Sequence, residues 1–249
     1  MSERLARYWV VDFGVETLNC SGELPRHRHT AGYATVVLAG SFEEAGFAGR
    51  SVVSPGDVLL HASFDCHAYW RVSRRAPQIL RLPWFDNSLE GRFRIADPDK
   101  LAMLAERDVS AAMIELQNDL VSFPPQELHW TERLAEALRS EKVPRLESWA
   151  ESENLTPETV SRGFHRAFGV TPKVFRIECR ARRAWNLLLR SHSPLTSIAH
   201  ELGFADQAHL SRTISALTGA PPRFWRRHGI TDGLAVQVHS QPNSPPSPY

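Results

Sequence analysis

The chain has 249 residues, 42% of them hydrophobic and 23% charged, with 29 Lys and Arg against 28 Asp and Glu for a formal net charge of +1. Such a length suggests roughly two domains, each able to bury a core. The three cysteines, Cys20, Cys66 and Cys179, are too few and too scattered for a disulfide framework and fit reduced thiols in a cytoplasmic compartment. The apolar run at 8–11 stops at Asp12 and is too short for a signal peptide, and no stretch approaches the ~18 apolar residues of a membrane span. The near-zero charge conceals a split. Residues 140–230 hold 14 Lys and Arg against 8 Asp and Glu, whereas residues 1–139 hold 15 against 19. A basic segment joined to an acidic one points to nucleic acid at one end only.

In chain order, short Val, Leu and aromatic runs come first, at 8–11, 35–38, 51–53, 58–60, 68–72 and 78–82. Gly14, Gly22, Gly40, Gly46, Gly49 and Pro55-Gly56 punctuate them, so residues 1–96 read as a small sandwich or barrel. Near Asp97-Pro98 the period becomes helical through Leu101, Leu104, Ala105, Val109, Ala112, Met113, Leu116 and Leu120. After the break at Phe123-Pro124-Pro125, Trp130, Leu134, Ala137 and Leu138 mark a second amphipathic stretch. Residues 97–139 are therefore expected to be a helical linker. Its apolar stripe could pair two copies in a homodimer or pack on its own barrel. Residues 140–232 are helical with short connections, and 233–249 form a Pro/Ser-rich tail predicted to be disordered. The fold class is α+β multidomain.

The basic half repeats itself. Ser161-Arg162-Gly163-Phe164, Gly169, Pro172 and Phe175 recur as Ser211-Arg212-Thr213-Ile214, Gly219, Pro222 and Trp225, at a constant offset of 50. Upstream, Leu146, Trp149 and Ala150 match Leu195, Ile198 and Ala199 at an offset of 49. Each copy reads as helix, turn, helix. Thr156 can cap the second helix of the first copy, with Pro157 at its first position and Gly169 at its stop. Val160, Phe164 and Phe168 form its inward stripe, which places Arg162 almost opposite. Glu158, His165 and Arg166 share that outward side, with Thr159 and Ser161 on its flanks. In the second copy Asp206 is the cap, and Leu210, Ile214 and Leu217 face inward. Arg212 is outward, His209 and Ser211 flank it, and Gln207 projects from the first turn. A helix-turn-helix places its second helix in the major groove. There Arg suits guanine, Gln suits adenine, and Ser or Thr suits either base or phosphate. The candidate DNA contacts are Glu158, Thr159, Ser161, Arg162, Arg166, Gln207, His209, Ser211 and Arg212. The long helix between the copies carries Lys173, Arg176, Arg180, Arg182, Arg183 and Arg190, a charge that favours a duplex through counterion release.

The run from Leu195 through Ile198-Ala199, Leu202-Gly203-Phe204, Asp206-Gln207 and Ser211-Arg212 to Gly219, Pro222 and Phe224-Trp225-Arg226 resembles the AraC/XylS family of bacterial transcription regulators. The first copy matches at Leu146, Ala150, Leu155, Ser161-Arg162, Phe164, Phe168-Gly169 and Pro172. The resemblance covers residues 140 to about 230 and implies two helix-turn-helix units joined by a long helix. Ile214 and Thr218 stand where the family has bulkier residues, which predicts a looser second core. The acidic half is similar to cupin domains, the common sensory part of this family. Pro55-Gly56-Asp57 followed by His61 and His67 looks like one cupin motif, and His27-Arg28-His29 followed by Gly40 looks like the other.

His27 and His29, two apart on a strand, point to one face, and His67 could join them. Three imidazoles suit a divalent metal of the Zn, Fe, Ni or Cu type. His61 is a further candidate, and Cys66 should face away. The Glu that usually completes a metal cupin is missing from Thr30–Ala34. A small organic effector, or packing alone, explains the same histidines. Trp9, Trp70 and Trp84 read as core or as stacking platforms, and Cys20 with Cys66 as inert thiols or a redox pair.

The expectation is a non-enzymatic, cytoplasmic transcription regulator. Its partners would be double-stranded promoter DNA, RNA polymerase and a small-molecule effector. The alternative is a cupin metalloenzyme, a dioxygenase or isomerase, with a helical appendage. A protein-interaction role for the helical half is a third reading.

Overall fold

The computed structural model describes residues 7–9, 11–18, 22–85, 89–125, 127–140 and 142–229. The Trp9 side chain, Cys20 and the 233–249 tail lie outside the described residues.

The strands are β1 (Arg7–Trp9), β2 (Gly14–Thr17), β3 (Glu23–His29), β4 (Tyr33–Ala39), β5 (Phe42–Gly46), β6 (Gly49–Val53), β7 (Asp57–His61), β8 (Cys66–Arg71), β9 (Gln78–Pro83), β10 (Gly91–Arg94) and β11 (Val121–Ser122). They form two sheets, ordered β1-β3-β8-β5-β6 and β11-β10-β7-β4-β9-β2. The expected sandwich or barrel thus takes the form of two stacked sheets. Pairing is antiparallel except that β1 runs parallel to β3. The strands not anticipated include β5 and β10, whose charged or small residues mask the apolar alternation.

Because side chains alternate across a strand, each sheet has two jobs. Val37, Leu59 and Ile79 of the second sheet meet Phe42, Val53 and Tyr69 of the first, closing the space between them. On the second sheet's other face, Ala34, Val36, Val58, Leu60, Leu80 and Leu82 pack on helices α1 (Pro98–Arg107) and α2 (Val109–Asp119) through Leu101, Ala112 and Leu116. Most of the stripe predicted over 101–120 is therefore spent on the chain's own sheet, but Val109 of that stripe is left exposed, as are Met103 and Ile114.

Helix α3 (Trp130–Arg139) belongs elsewhere. Its Leu134, Ala135 and Leu138 pack with Trp149, Val160 and Phe164. The stretch 97–139 is thus divided between two cores.

Helices α4 (Leu146–Ser152), α5 (Pro157–Phe168), α6 (Pro172–Arg190), α7 (Leu195–Glu201) and α8 (Gln207–Thr218) follow, with a last helical stretch over 222–229. The repeat holds down to single hydrogen bonds. Leu155 N–H donates to the Ala150 carbonyl at 2.9 Å, and Phe204 N–H to the Ala199 carbonyl at 2.8 Å. The turn before each needs a left-handed residue. The second unit uses Gly203 (φ 68°) and the first uses Asn154 (φ 55°), the side chain that tolerates this region best.

The two cores differ where the sequence predicted looseness. Phe164, Phe168 and Phe175 of the first unit are replaced, 50 residues on, by Ile214, Thr218 and Trp225. Thr218 is fully buried and accepts a 2.7 Å hydrogen bond from Trp225 Nε1–H. The larger indole fills space, and the smaller threonine satisfies its donor. The rest of the gap is filled from outside the helices. Phe64, in the β7–β8 loop, sits edge-on to Trp185 (5.0 Å between centroids) and to Trp225 (5.5 Å). It does so at φ 60°, a strained backbone for a non-glycine residue. The second core is therefore not loose; the sheet region completes it.

The first sheet's outer face carries the rest of the contact. Arg26 is buried there and reaches Glu178 on α6 with Nη2 (2.8 Å) and Nε (3.1 Å). Its Nη1 donates to the carbonyls of Ala45 and Phe168, both at 3.3 Å. Arg28 Nη2 donates to the Ala216 carbonyl at 3.0 Å, and Gly169 (φ 71°), the stop of α5, approaches Ala68.

Two outcomes are expected. Thr218→Val keeps the shape but strands the indole N–H, and should cost about 1–3 kcal/mol in urea unfolding. Glu178→Ala leaves a buried guanidinium unpaired and should cost about 3–5 kcal/mol, whereas the Arg26→Met, Glu178→Met double variant should regain most of that stability.

Candidate nucleic-acid interface

The second helix of each unit is held by its predicted cap. Thr156 Oγ1 accepts from Thr159 N–H at 3.2 Å, and an Asp206 carboxylate oxygen accepts from His209 N–H at 2.6 Å. Both helices end in left-handed glycines, Gly169 and Gly219. With Val160, Phe164, Leu210 and Ile214 buried, the opposite faces are set. Glu158, Thr159, Arg162, Arg166, Gln207 and Arg212 are exposed, and Ser161, His209 and Ser211 are half-buried on the flanks. Each candidate contact therefore lies at or beside the outward face anticipated for it. The imidazole of His209 packs edge-on to Phe204 at 5.3 Å, which orients it.

The basic charge of α6 is divided. Lys173, Arg176 and Arg190 are exposed. Arg182 is buried and paired with Glu90 at 2.8 Å. Arg183 donates to the Arg139 and Ser140 carbonyls. Arg180 donates to the Gly203 carbonyl at 3.1 Å and lies over the Phe204 ring. Half of the cations expected to face a duplex hold the fold together instead. Periodicity alone could not separate them, because α6 is covered on several sides.

Between the sheets, the predicted histidines converge. His27 and His67 are directly paired across β3 and β8. One nitrogen from each of His27, His29 and His67 lies within 4.8 Å of the others, and all three residues are buried. His27 Nδ1–H donates to the Pro25 carbonyl at 2.9 Å, so Nε2 is the basic nitrogen of the neutral ring. Burial, and then His67, hold His27 and His29 well below the ordinary imidazole range. His61 joins the cluster from β7, and Glu44 from β5 forms a second candidate set with His61 and His67. Glu44 thus brings a carboxylate from another strand to His61 and His67, though not to His27 and His29, a placement that local spacing does not reveal.

Asp65 was also missed. Its Oδ2 accepts from His61 Nδ1–H at 2.9 Å and lies 3.8 Å from His67 Nδ1. Burial opposes its ionisation. The hydrogen bond from His61, with the His67 imidazole and Arg182 nearby, outweighs that and holds its carboxyl well below the usual carboxylate range. Cys66 faces the other way, as expected, with its Sγ–H on the Phe64 carbonyl. Burial first, then Glu178, raises its pKa, so it is an inert thiol. Trp70 and Trp84 pack into apolar cores rather than onto the histidines.

Residues 149–228 match the family described as a helix-turn-helix domain. They form an AraC-type helix-turn-helix domain. A Bacillus subtilis protein, the uncharacterized HTH-type transcriptional regulator YobQ, is 29% identical over 83 residues, which are 33% of this chain and 34% of that one. The chain thus aligns with about a third of this relative. Among solved structures, a Chromobacterium violaceum regulator with an AraC-type DNA-binding domain is 21% identical, covering 40% of this chain and 90% of that one at a TM-score of 0.37. Vibrio cholerae ToxT is 9% identical, covering 86% and 98%, at a TM-score of 0.41. The matches lend no support to the alternative of a cupin metalloenzyme. No helix among the described residues is long and apolar enough to cross a membrane.

Proposed function

We propose that the chain is a sequence-specific transcription regulator that reads double-stranded promoter DNA with α5 and α8. One observation carries this reading: the two units of the helix-turn-helix domain present Arg162 and Arg212, exposed and 50 residues apart, at the same position of the same kind of capped helix. A guanidinium there can take the O6 and N7 edges of guanine. Gln207 and the flanking Ser161 and Ser211 add base or phosphate contacts, and Lys173, Arg176 and Arg166 supply phosphate charge. Helix α6, at 19 residues, spans about 28 Å, which suits two reads on successive turns of one DNA face. The sheet region is the sensory part of this reading, acting in the cytoplasm on a small effector. RNA polymerase and a second copy of the chain are the further partners it proposes.

Selection of bound genomic fragments by the purified protein should enrich sites with two reads about 34 Å apart. On such a site, Arg162→Ala and Arg212→Ala should each cost about 1–3 kcal/mol, or about 5- to 150-fold in affinity, and relax the preference at one base pair. An Arg176→Ala variant should weaken all sequences alike and flatten the salt dependence by about one unit of slope. Unchanged binding in both of the first two variants would remove α5 and α8 as reading helices.

A further inference from the structure

The two reading helices differ at the position that follows their outward arginine. Gly163 follows Arg162 in α5, and Thr213 follows Arg212 in α8. Thr213 turns its hydroxyl back onto its own helix, donating to the His209 carbonyl at 2.9 Å. At Gly163 the place of a side chain is taken by a ring from another helix. Trp130, the first residue of α3, lies so close that a methyl group on Gly163 would stand 2.5 Å from its Cζ2 and 2.6 Å from its Cη2. Carbon atoms do not approach so closely, so the glycine and the indole form a fitted pair. Glycine weakens the interior of a helix, and here the gain is the close seat it gives the ring. The ring rests on Trp149, 6.2 Å between centroids, and is half-buried, so part of it reaches solvent.

The helical period sets what that solvent-facing part borders. At about 100° per residue, Gly163 lies roughly a quarter-turn from Arg162. Exposed Arg166 and Thr159 fall between the two, and buried Ala167 and Val160 fall beyond Gly163. With Arg162 aimed at the floor of the major groove, this flank of α5 faces the groove's wall, which is sugar-phosphate backbone. The groove is about 12 Å wide, and a helix with its side chains is about 10–12 Å across. A flank that carries an indole in place of a short side chain therefore decides how deeply α5 can lie.

We propose that Trp130 is a DNA-contacting, specificity-determining residue of the first unit: seated on Gly163, its ring abuts the sugar-phosphate backbone beside α5 and fixes the depth at which Arg162, Arg166 and Thr159 meet the duplex. The proposal rests on the regulator reading above. It adds a contact from outside both helix-turn-helix pairs and a physical reason for the two units to read differently.

The test uses the full chain on a DNA site that it selects. Each base pair of the site is varied in turn, and the sugars are mapped by hydroxyl-radical footprinting. The wild type should protect sugars bordering the bases read by α5. Trp130→Ala should lose that protection, lower affinity about tenfold and alter the base preferences under α5, while those under α8 stay the same. Gly163→Ala displaces the ring without removing it, favours the helix itself and should have the same effects. The double variant should lose no more than Trp130→Ala alone, because both changes act on one contact. If Trp130→Ala fails to fold, Gly163→Ala decides. Equal weakening on all sequences with an unchanged footprint would make the ring a prop of the first core and overturn the proposal. So would losses that simply add in the double variant. A wild-type chain that selects no DNA sequence strikes the regulator reading and the proposal together, whereas one that selects a site and keeps its base preferences in both variants strikes the proposal alone.

Discussion

Two arginines buried between the sheets and the helices, Arg26 and Arg182, decide how this chain is assembled. A guanidinium taken out of water costs several kcal/mol unless a carboxylate meets it, and each one does so across the boundary. Arg26 of β3 meets Glu178 of α6, and Arg182 of α6 meets Glu90 and faces Asp65 from the sheet region. Such pairs contribute little net stability compared with apolar packing. Their geometry is demanding, however, and misdocking would strand a charge. They therefore select one orientation of the helix-turn-helix domain on the first sheet, and that orientation brings Phe64 to Trp185 and Trp225.

Around β3 and β8 the first sheet is consequently covered on both faces. On β3, side chains alternate between two environments: His27 and His29 look toward the second sheet, while Arg26 and Arg28 look toward the helices. The strand thus carries a histidine cluster on one side and packs against the helix-turn-helix domain on the other. The strain at Phe64, a non-glycine residue at φ 60°, is tolerated because the ring has a fully apolar destination.

The helix-turn-helix units show how a repeat can diverge while keeping its geometry. Offsets of 49 and 50 preserve the caps, the stops and the left-handed turn residue, because those positions answer to backbone conformation. The core positions answer only to volume and to hydrogen bonding, so three phenylalanines could give way to Ile214, Thr218 and Trp225 once a partner ring entered from elsewhere. A net charge of +1 is likewise a sum of unlike parts, and within the basic part the exposed and the buried arginines do different work.

Local rules made much of this visible beforehand. Thr156, Asp206, Gly169 and Gly219 announced the ends of α5 and α8, the 3.6-residue period placed Arg162 and Arg212 outward, and the two-residue period put His27 and His29 on one face. Each depends on neighbours in sequence, so each could be read from sequence alone. The assignment of α3 to the first helix-turn-helix core, the insertion of Phe64 into the second and the arrival of Glu44 and Asp65 at the histidines could not. Nor could the sorting of α6's cations into solvent and interior. An apolar stripe states that a face will be covered without stating by what, and pairs such as Arg26 with Glu178, 152 residues apart, form only when the whole chain has closed. Sequence determined the parts and their outward faces; tertiary structure decided which parts share a core, because burial and charge pairing are settled between surfaces and not along the chain.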